Sequence, residues 1–294
     1  MKYVDTSQVQ NKMGPRLLLN KLAKSLFFLS TIFGLIVLVI LMYRVLSQGV
    51  EWIDWQFITG KLSTMAENAG VMGPLLGTFW LMFVVAPVTL FLGVGTAIYL
   101  EEYAKKNRLQ SLIQTNISNL AGVPSIVFGL LGLTVFVKGM NLGNIVLAGG
   151  LTMSLLVLPI VVVASQEAIR AVPQYLREAS YGMGATKWQT VKRVVLPASL
   201  PGILTGSILA LSRAIGETAP LVVLGIPALI IPFPDNIFDK FTVMPLQIYY
   251  WTIDSALVDE YANLAAAAIV ILLLLLFAMN SIAVIIRNKF QKRL

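Results

Sequence analysis

Two ionisable residues sit where an apolar sequence gives them no obvious place. Arg213 and Glu217 lie in "RAIGETAP", flanked by "PGILTGSILALS" before and "LVVLGIPALIIP" after. A charge at the centre of a bilayer costs roughly 3 kcal/mol or more unless it is paired or faces water. An arginine there supplies positive potential and planar N–H donors, which suit an oxyanion. Glu217 can hold that guanidinium or release it, and Thr218 adds a hydroxyl. Arg213 follows Pro201 by 12 residues, about 18 Å along a helix and near the middle of a core about 30 Å thick. At i+4, Glu217 is predicted to share its face and to pair with it. Gly202, Gly206, Ala210, Arg213, Glu217 and Pro220 recur at steps of three or four. That stripe reads in two ways: as a close helix–helix contact fastened by an ion pair, or as the lining of a transient aqueous route for an anion.

A second candidate is Ser125 in "AGVPSIVFG". Pro124 removes a backbone donor, and Gly122, Gly129 and Gly132 weaken the helix, so a kink or break is predicted there. Ser125 then either presents its hydroxyl to an oxyanion or satisfies it on its own backbone. Pro87 and Pro159 read as kinks, and Arg44 as a side chain that snorkels to an interface. The chain has neither cysteine nor histidine. That excludes disulfides, thiolate or imidazole metal sites and a Ser–His pair. No metal-ligand cluster and no catalytic constellation is legible, so the chain reads as a transporter and not an enzyme.

The elements that must position these residues are membrane helices. Apolar residues make up 57% of the chain and charged residues 12%, and apolar windows near 25–46, 75–99, 119–137, 143–164, 201–225 and 262–286 predict six spans. The fold class is therefore all-α, a polytopic membrane protein. The first window is uninterrupted for longer than a signal-peptide core and is expected to stay in the mature protein. The net charge of +8 reports topology and not nucleic acid. Seventeen of the 22 Lys and Arg residues fall in the N-terminus, the 100–111 loop, the 165–200 loop and the C-terminal tail, which places those four in the cytoplasm. The loops 48–73 and 226–260 carry eight of the 14 acids and are expected outside. The predicted division is a cytoplasmic tail 1–24, one permease domain 25–288 and a cytoplasmic tail 289–294.

The longest cytoplasmic loop, about 172–200, has the punctuation of two short helices. Pro173 suits a first turn, Gly182 or Gly184 can supply a left-handed residue, and Thr186 with Gln189 has capping-box spacing. Pro197 is expected to stop the second helix. Glu178, Ala179 and Ser180, then Gly184, then Val194, Val195, Leu196 and Pro197 resemble the EAA loop of ATP-binding-cassette importer permeases. The third small position holds Ser where that pattern has Ala. The chain has no GxxxxGK[S/T] phosphate loop. The resemblance implies that a separate ATPase docks on this loop, with Glu178 free to cap, to pair with Arg177 or Lys187, or to touch the partner.

"RAIGETAPL", "NLAGVPSIVFGLLGL", "MPLQIYYW" and "AIYLEEYA" together resemble the PstA-type permease subunits of phosphate importers, a type I, MetI-like fold. That resemblance implies a PstC-type permease partner, a PstB-type ATPase dimer that holds ATP and Mg, and an extracellular or periplasmic phosphate-binding protein. It also implies a bacterial cytoplasmic membrane, surrounding lipid, no nucleic acid and no cofactor on this chain. Arg213, Glu217, Thr218 and Ser125 are the candidate substrate-pathway residues, and the resemblance implies that Glu178, Ala179, Ser180, Gly184, Leu196 and Pro197 serve ATPase coupling. The rival cargoes are other oxyanions, sulfate or molybdate. The rival class is an ion-coupled secondary transporter with Glu217 as proton carrier, against which the EAA-like loop and the lack of inverted repeats speak.

Overall fold

The computed structural model describes residues 6–105, 107–229 and 232–290. Residues 291–294 of the predicted tail 289–294 and the first five residues lie outside them. The chain is helical in the order α1 (Thr6–Gly49), α2 (Trp55–Thr59), α3 (Met72–Ile98), α4 (Arg108–Leu120), α5 (Ser125–Gly132), α6 (Val146–Arg170), α7 (Gln174–Gly182), α8 (Lys187–Thr190), α9 (Leu196–Ile215), α10 (Ala219–Val223), α11 (Met244–Asp254) and α12 (Glu260–Phe290). Residues 6–24 of the predicted tail 1–24 are helical, and α1 runs through them into the first span.

Five helical stretches are long and apolar enough to cross a bilayer: Arg16–Trp52, Met72–Tyr103, Val146–Arg170, Lys187–Ile215 and Glu260–Lys289. The third predicted span is the exception. Gly122 and Pro124 break it, and Arg108–Leu120 meets Ser125–Gly139 at 103°. The second piece continues α5 through a π turn, Leu133–Gly139. It is about 22 Å long, short of the roughly 30 Å of a hydrocarbon core. Counted as one broken span, the pair brings the total to the predicted six.

α3, α6 and α9 form the centre. Small residues allow this: a Cβ on Gly150 would meet Val84, and one on Gly93 would meet Val161. The apolar cluster they share includes Leu81, Val85, Met153, Val157, Ala210 and Phe241. α12 packs on α9 and α11, while α1 touches α12 where a Cβ on Gly49 would lie 2.6 Å from the Ala266 backbone. Most of α1 is exposed.

The 226–260 segment is not a loop lying wholly apart from the helices. Ile226, Phe241, Thr242, Val243, Met244 and Leu246 are buried. The chain folds back so that Val146 N–H donates to Asp239 O (3.0 Å) and Leu147 N–H to Ile237 O (2.9 Å). Trp80 Nε1 donates to Pro234 O (2.9 Å), and the Met244 N–H donates to Thr78 Oγ1 (3.0 Å). Acidic composition hid this return, because its apolar residues are spread among turn residues instead of forming one long window.

Candidate functional site: a broken helix and a glycine turn

α9 ends at Ile215, two residues past Arg213. Gly216 caps it with φ −88° and ψ −3°, and Pro220 lies four residues further on. A proline lacks the N–H that would bond Gly216 O, and its ring crowds that carbonyl. The chain therefore steps through Glu217 and Thr218 before turning again as α10. The Thr218 carbonyl accepts from the Leu221 and Val222 N–H groups, both at 3.1 Å. This differs from the predicted i+4 arrangement, because no continuous helix carries Glu217 onto the face of Arg213. Among the described residues the ion pairs are Glu101–Arg170, Glu167–Arg170 and Glu102–Arg177; an Arg213–Glu217 pair is not one of them. The Gly216 and Pro220 spacing was the available signal.

The small-residue stripe divides accordingly. A Cβ on Gly202 would lie 2.8 Å from Ala168 Cβ, and one on Gly206 would lie 2.5 Å from Ala164 Cβ. Those glycines serve contact between α6 and α9, while the buried face of α9 runs beside them through Ile203, Ser207, Ala210 and Ala214. Arg213 lies off it and is exposed, while Glu217 and Thr218 are half-buried. An arginine in the last turn of a helix sits favourably against the helix dipole.

Ser125, also half-buried, opens α5. One turn later a Cβ on Gly129 would lie 2.8 Å from Pro220 Cα, and one on Gly132 would collide with Thr152. Gly129 and Gly132 thus permit close packing of α5 on α10 and α6 instead of weakening the helix. The two breaks, at Pro124 and at Gly216, consequently belong to neighbouring elements. Nearby, Ser212 Oγ bonds Asn280 Oδ1 of α12 at 2.5 Å.

The predicted helix–turn–helix is present at the other end of α9. α7 closes at Gly182, and Gly184 takes the left-handed conformation at φ +80°, a region that glycine enters without a Cβ penalty. Thr186 and Gln189 form the capping box: Thr186 N–H donates to Gln189 Oε1 (2.8 Å), and Gln189 N–H to Thr186 Oγ1 (3.4 Å). Glu178 and Ala179 are exposed, and Ser180 Oγ lies 2.9 Å from Thr190 Oγ1. The serine at the third small position therefore ties α7 to α8. Tyr175, Met183 and Trp188 add exposed apolar surface to the same turn, Met183 being 89% exposed.

Pro197 does not stop the second helix. A π turn, Val191–Val195, joins α8 to α9, and Lys187–Ile215 is one helix. Wider i→i+5 pairing accommodates the proline's missing donor within the helix. Pro197 is exposed. Leu196 packs beneath the turn with Ala97, Ile169, Val172, Val195 and Ile203.

Sequence reasoning missed what braces the turn. Arg177 does not pair with Glu178: its Nε and Nη2 donate to Glu102 Oε1 at 3.1 and 2.9 Å, and its Nη1 and Nη2 donate to the carbonyls of Val172 (2.7 Å) and Ile169 (3.0 Å). The pair is nearly buried, with side chains 13% and 7% exposed. Beside it Arg170 grips Glu101 through Nε (2.9 Å) and Nη2 (2.6 Å), and Gln166 Nε2 donates to Glu101 Oε1 (2.8 Å). Lys187 Nζ stands 5.2 Å from the centre of the Tyr103 ring. The signal was "LEEY", two acids closing a span beside a basic loop.

A family model described as "Binding-protein-dependent transport system inner membrane component" matches residues 89–292. The chain is 38% identical over 207 residues to "Probable ABC transporter permease protein YqgI" of Bacillus subtilis, covering 70% of each chain. It is 38% identical over 210 residues to "Phosphate transport system permease protein PstA 1" of Mycobacterium tuberculosis, covering 70% of this chain and 68% of the relative. Its fold is that of a chain in a bacterial alginate ABC transporter crystallised with its pentasaccharide-bound periplasmic protein, at TM-score 0.64, 15% identity and coverage of 92% and 94%. The helical bundle, the broken spans and the braced turn thus belong to a recognised class of transport subunits: this chain is a member of the binding-protein-dependent transport system inner membrane component family.

Proposed function

We propose that the chain is one of two permease subunits of an ATP-driven importer, and that its cargo is inorganic phosphate. The observation that carries the cargo is the 38% identity to the Mycobacterium tuberculosis phosphate permease over most of the chain. The exposed Arg213 at the end of α9 supports the same reading. In it Arg213 supplies positive potential where an anion has lost water, and Glu217, Thr218 and Ser125 line the route around it. Phosphate crosses without any bond being broken, so donors and charge suffice. Alternating access opens this route first to one side and then to the other.

The other parts of the system follow from the same reading: a PstC-type permease, a PstB-type ATPase dimer that holds ATP and Mg, and a phosphate-binding protein on the outer face. Glu178, Ala179, Ser180 and Gly184 shape the surface that meets the ATPase, and Leu196 and Pro197 root it in α9. The helix Lys187–Ile215, 29 residues, transmits movement of that turn to Arg213 as one rigid rod. Both termini and the turn are cytoplasmic in this reading, with residues 25–288 as a single permease domain in a bacterial cytoplasmic membrane.

The test is reconstitution of the chain with these partners in vesicles and measurement of ATP-dependent uptake of labelled phosphate, with sulfate and molybdate as competitors. Uptake that phosphate alone competes for is the expected result. Equal competition by sulfate or molybdate would reassign the cargo, and uptake driven by a proton gradient without the ATPase would overturn the importer reading.

A further inference from the structure

At the end of the bundle that carries the docking turn, a cleft of about 490 Å³ opens between α6, α9 and α12. Its floor is the tight contact of Gly202 with Ala168, where the absence of side chains keeps α9 low. Its walls carry opposite charges: Glu167 from α6 and Arg287 from the last turn of α12 both line it. They do not pair across it. Glu167 turns to Arg170 (3.0 Å) and keeps a side chain 65% exposed. Arg287 is half-buried. Its Nη1 donates weakly to Thr205 Oγ1 (3.4 Å), and its Nε and Nη2 donate to the neighbouring Asn288 Oδ1 (3.3 and 3.1 Å). No carboxylate meets this guanidinium among the described ion pairs.

Both charges lie within one turn of the ends of their spans: Glu167 is three residues from the end of α6, and Arg287 is three from the end of α12. That is the depth of lipid headgroups on this side of the membrane. The third wall agrees. A Cβ on Gly202 would lie 2.8 Å from Ala168 Cβ, so Pro201–Thr205 stands level with Glu167 near the end of α6.

We infer that the cleft binds one phospholipid whose headgroup carries a phosphate and a primary ammonium, as in phosphatidylethanolamine. The phosphate takes the Arg287 fork, which suits two of its oxygens at once, and displaces the bonds to the neighbouring Asn288. The ammonium, with three N–H donors, reaches Glu167 across the cleft. An anionic headgroup without a cation would leave Glu167 opposed to its negative charge. A choline headgroup has no N–H to donate. The acyl chains continue along the apolar flanks of α9 and α12.

The lipid site does not depend on what the permease carries. The full chain, purified with its partners, is loaded with mixed vesicle lipids of phosphatidylethanolamine, phosphatidylglycerol and phosphatidylcholine, and the lipids that stay bound are quantified by native mass spectrometry. The expected result is selective retention of phosphatidylethanolamine. Retention falls about tenfold in Arg287→Gln, corresponding to about 1.4 kcal/mol, and Glu167→Gln loses the preference over phosphatidylcholine while keeping phosphate-dependent binding. Thr205→Val, which leaves both charges in place, changes retention by less than either. Equal retention of all three lipids, or retention unchanged in Arg287→Gln with the complex intact, would overturn the site. So would loss of the lipid when inorganic phosphate is added in its place, which would make the cleft a free-anion site.

Discussion

The Glu102–Arg177 pair makes a quantitative prediction about the turn between α7 and α8. Glu102→Ala removes both bonds that the carboxylate accepts and leaves a guanidinium only 13% exposed with two backbone carbonyls as its remaining partners. Breaking a buried ion pair from one side costs about 3–5 kcal/mol. The retained carbonyls and the residual water access put this case near the lower figure, at about 3 kcal/mol. The cost falls on α7, because Glu102 ends one span while Arg177 belongs to the turn. Opening of α7 should therefore become more frequent by roughly a hundredfold, at about 1.4 kcal/mol per factor of ten. Amide hydrogen exchange reads this directly: the Leu176–Met183 amides should lose protection by about that factor while amides in the middle of α6 keep theirs. Replacing both partners by Met should restore much of the protection, since no charge is then stranded. Unchanged exchange in Glu102→Ala would refute the claim that this pair holds the turn, and equal loss in α6 would show that it holds the whole bundle instead.

Gly184→Val should release the ATPase from purified complexes while the permease still inserts. Nothing lies within 4 Å of the new Cβ, so the effect comes from the φ of +80°, which a β-branched residue resists at a cost of about 1–2 kcal/mol or more; full copurification would remove the turn from the coupling path. Orientation is open to labelling in this cysteine-free chain. Leu257→Cys, at a position 88% exposed, should react with an impermeant maleimide in cells whose outer side is accessible, and Met183→Cys, equally exposed, only after lysis. The reverse pattern would invert the topology.

Much of the fold was legible because hydrophobic length is a strong signal. Five spans and the glycine-hinged turn could be located from apolar windows, Thr186 with Gln189, and Gly184. What the sequence hid were interactions between distant segments. Arg177 had a nearer acid in Glu178, yet pairs with Glu102, because the ends of α3 and α6 converge under α7. Pro197 looked like a helix stop, but a π turn carries the helix past it. Gly216 and Pro220 were both in view, and the periodic stripe through Arg213 and Glu217 masked the break they impose. The return of Phe241 and Met244 into the bundle left no periodic trace at all.

The central claim is that the Arg213 charge, and not a structural role, makes phosphate passage possible. Because the structure places Arg213 off the buried face of α9 and out of any pair with Glu217, Arg213→Gln strands no carboxylate, and the complex should assemble. The measurement is ATP-dependent phosphate uptake per assembled complex, in vesicles matched for ATPase content. The account predicts a loss of at least about tenfold in Arg213→Gln, the effect of removing about 1.4 kcal/mol of electrostatic stabilisation from the route, and partial activity in Arg213→Lys, which keeps the charge but not the fork. Near-normal uptake in Arg213→Gln would contradict it.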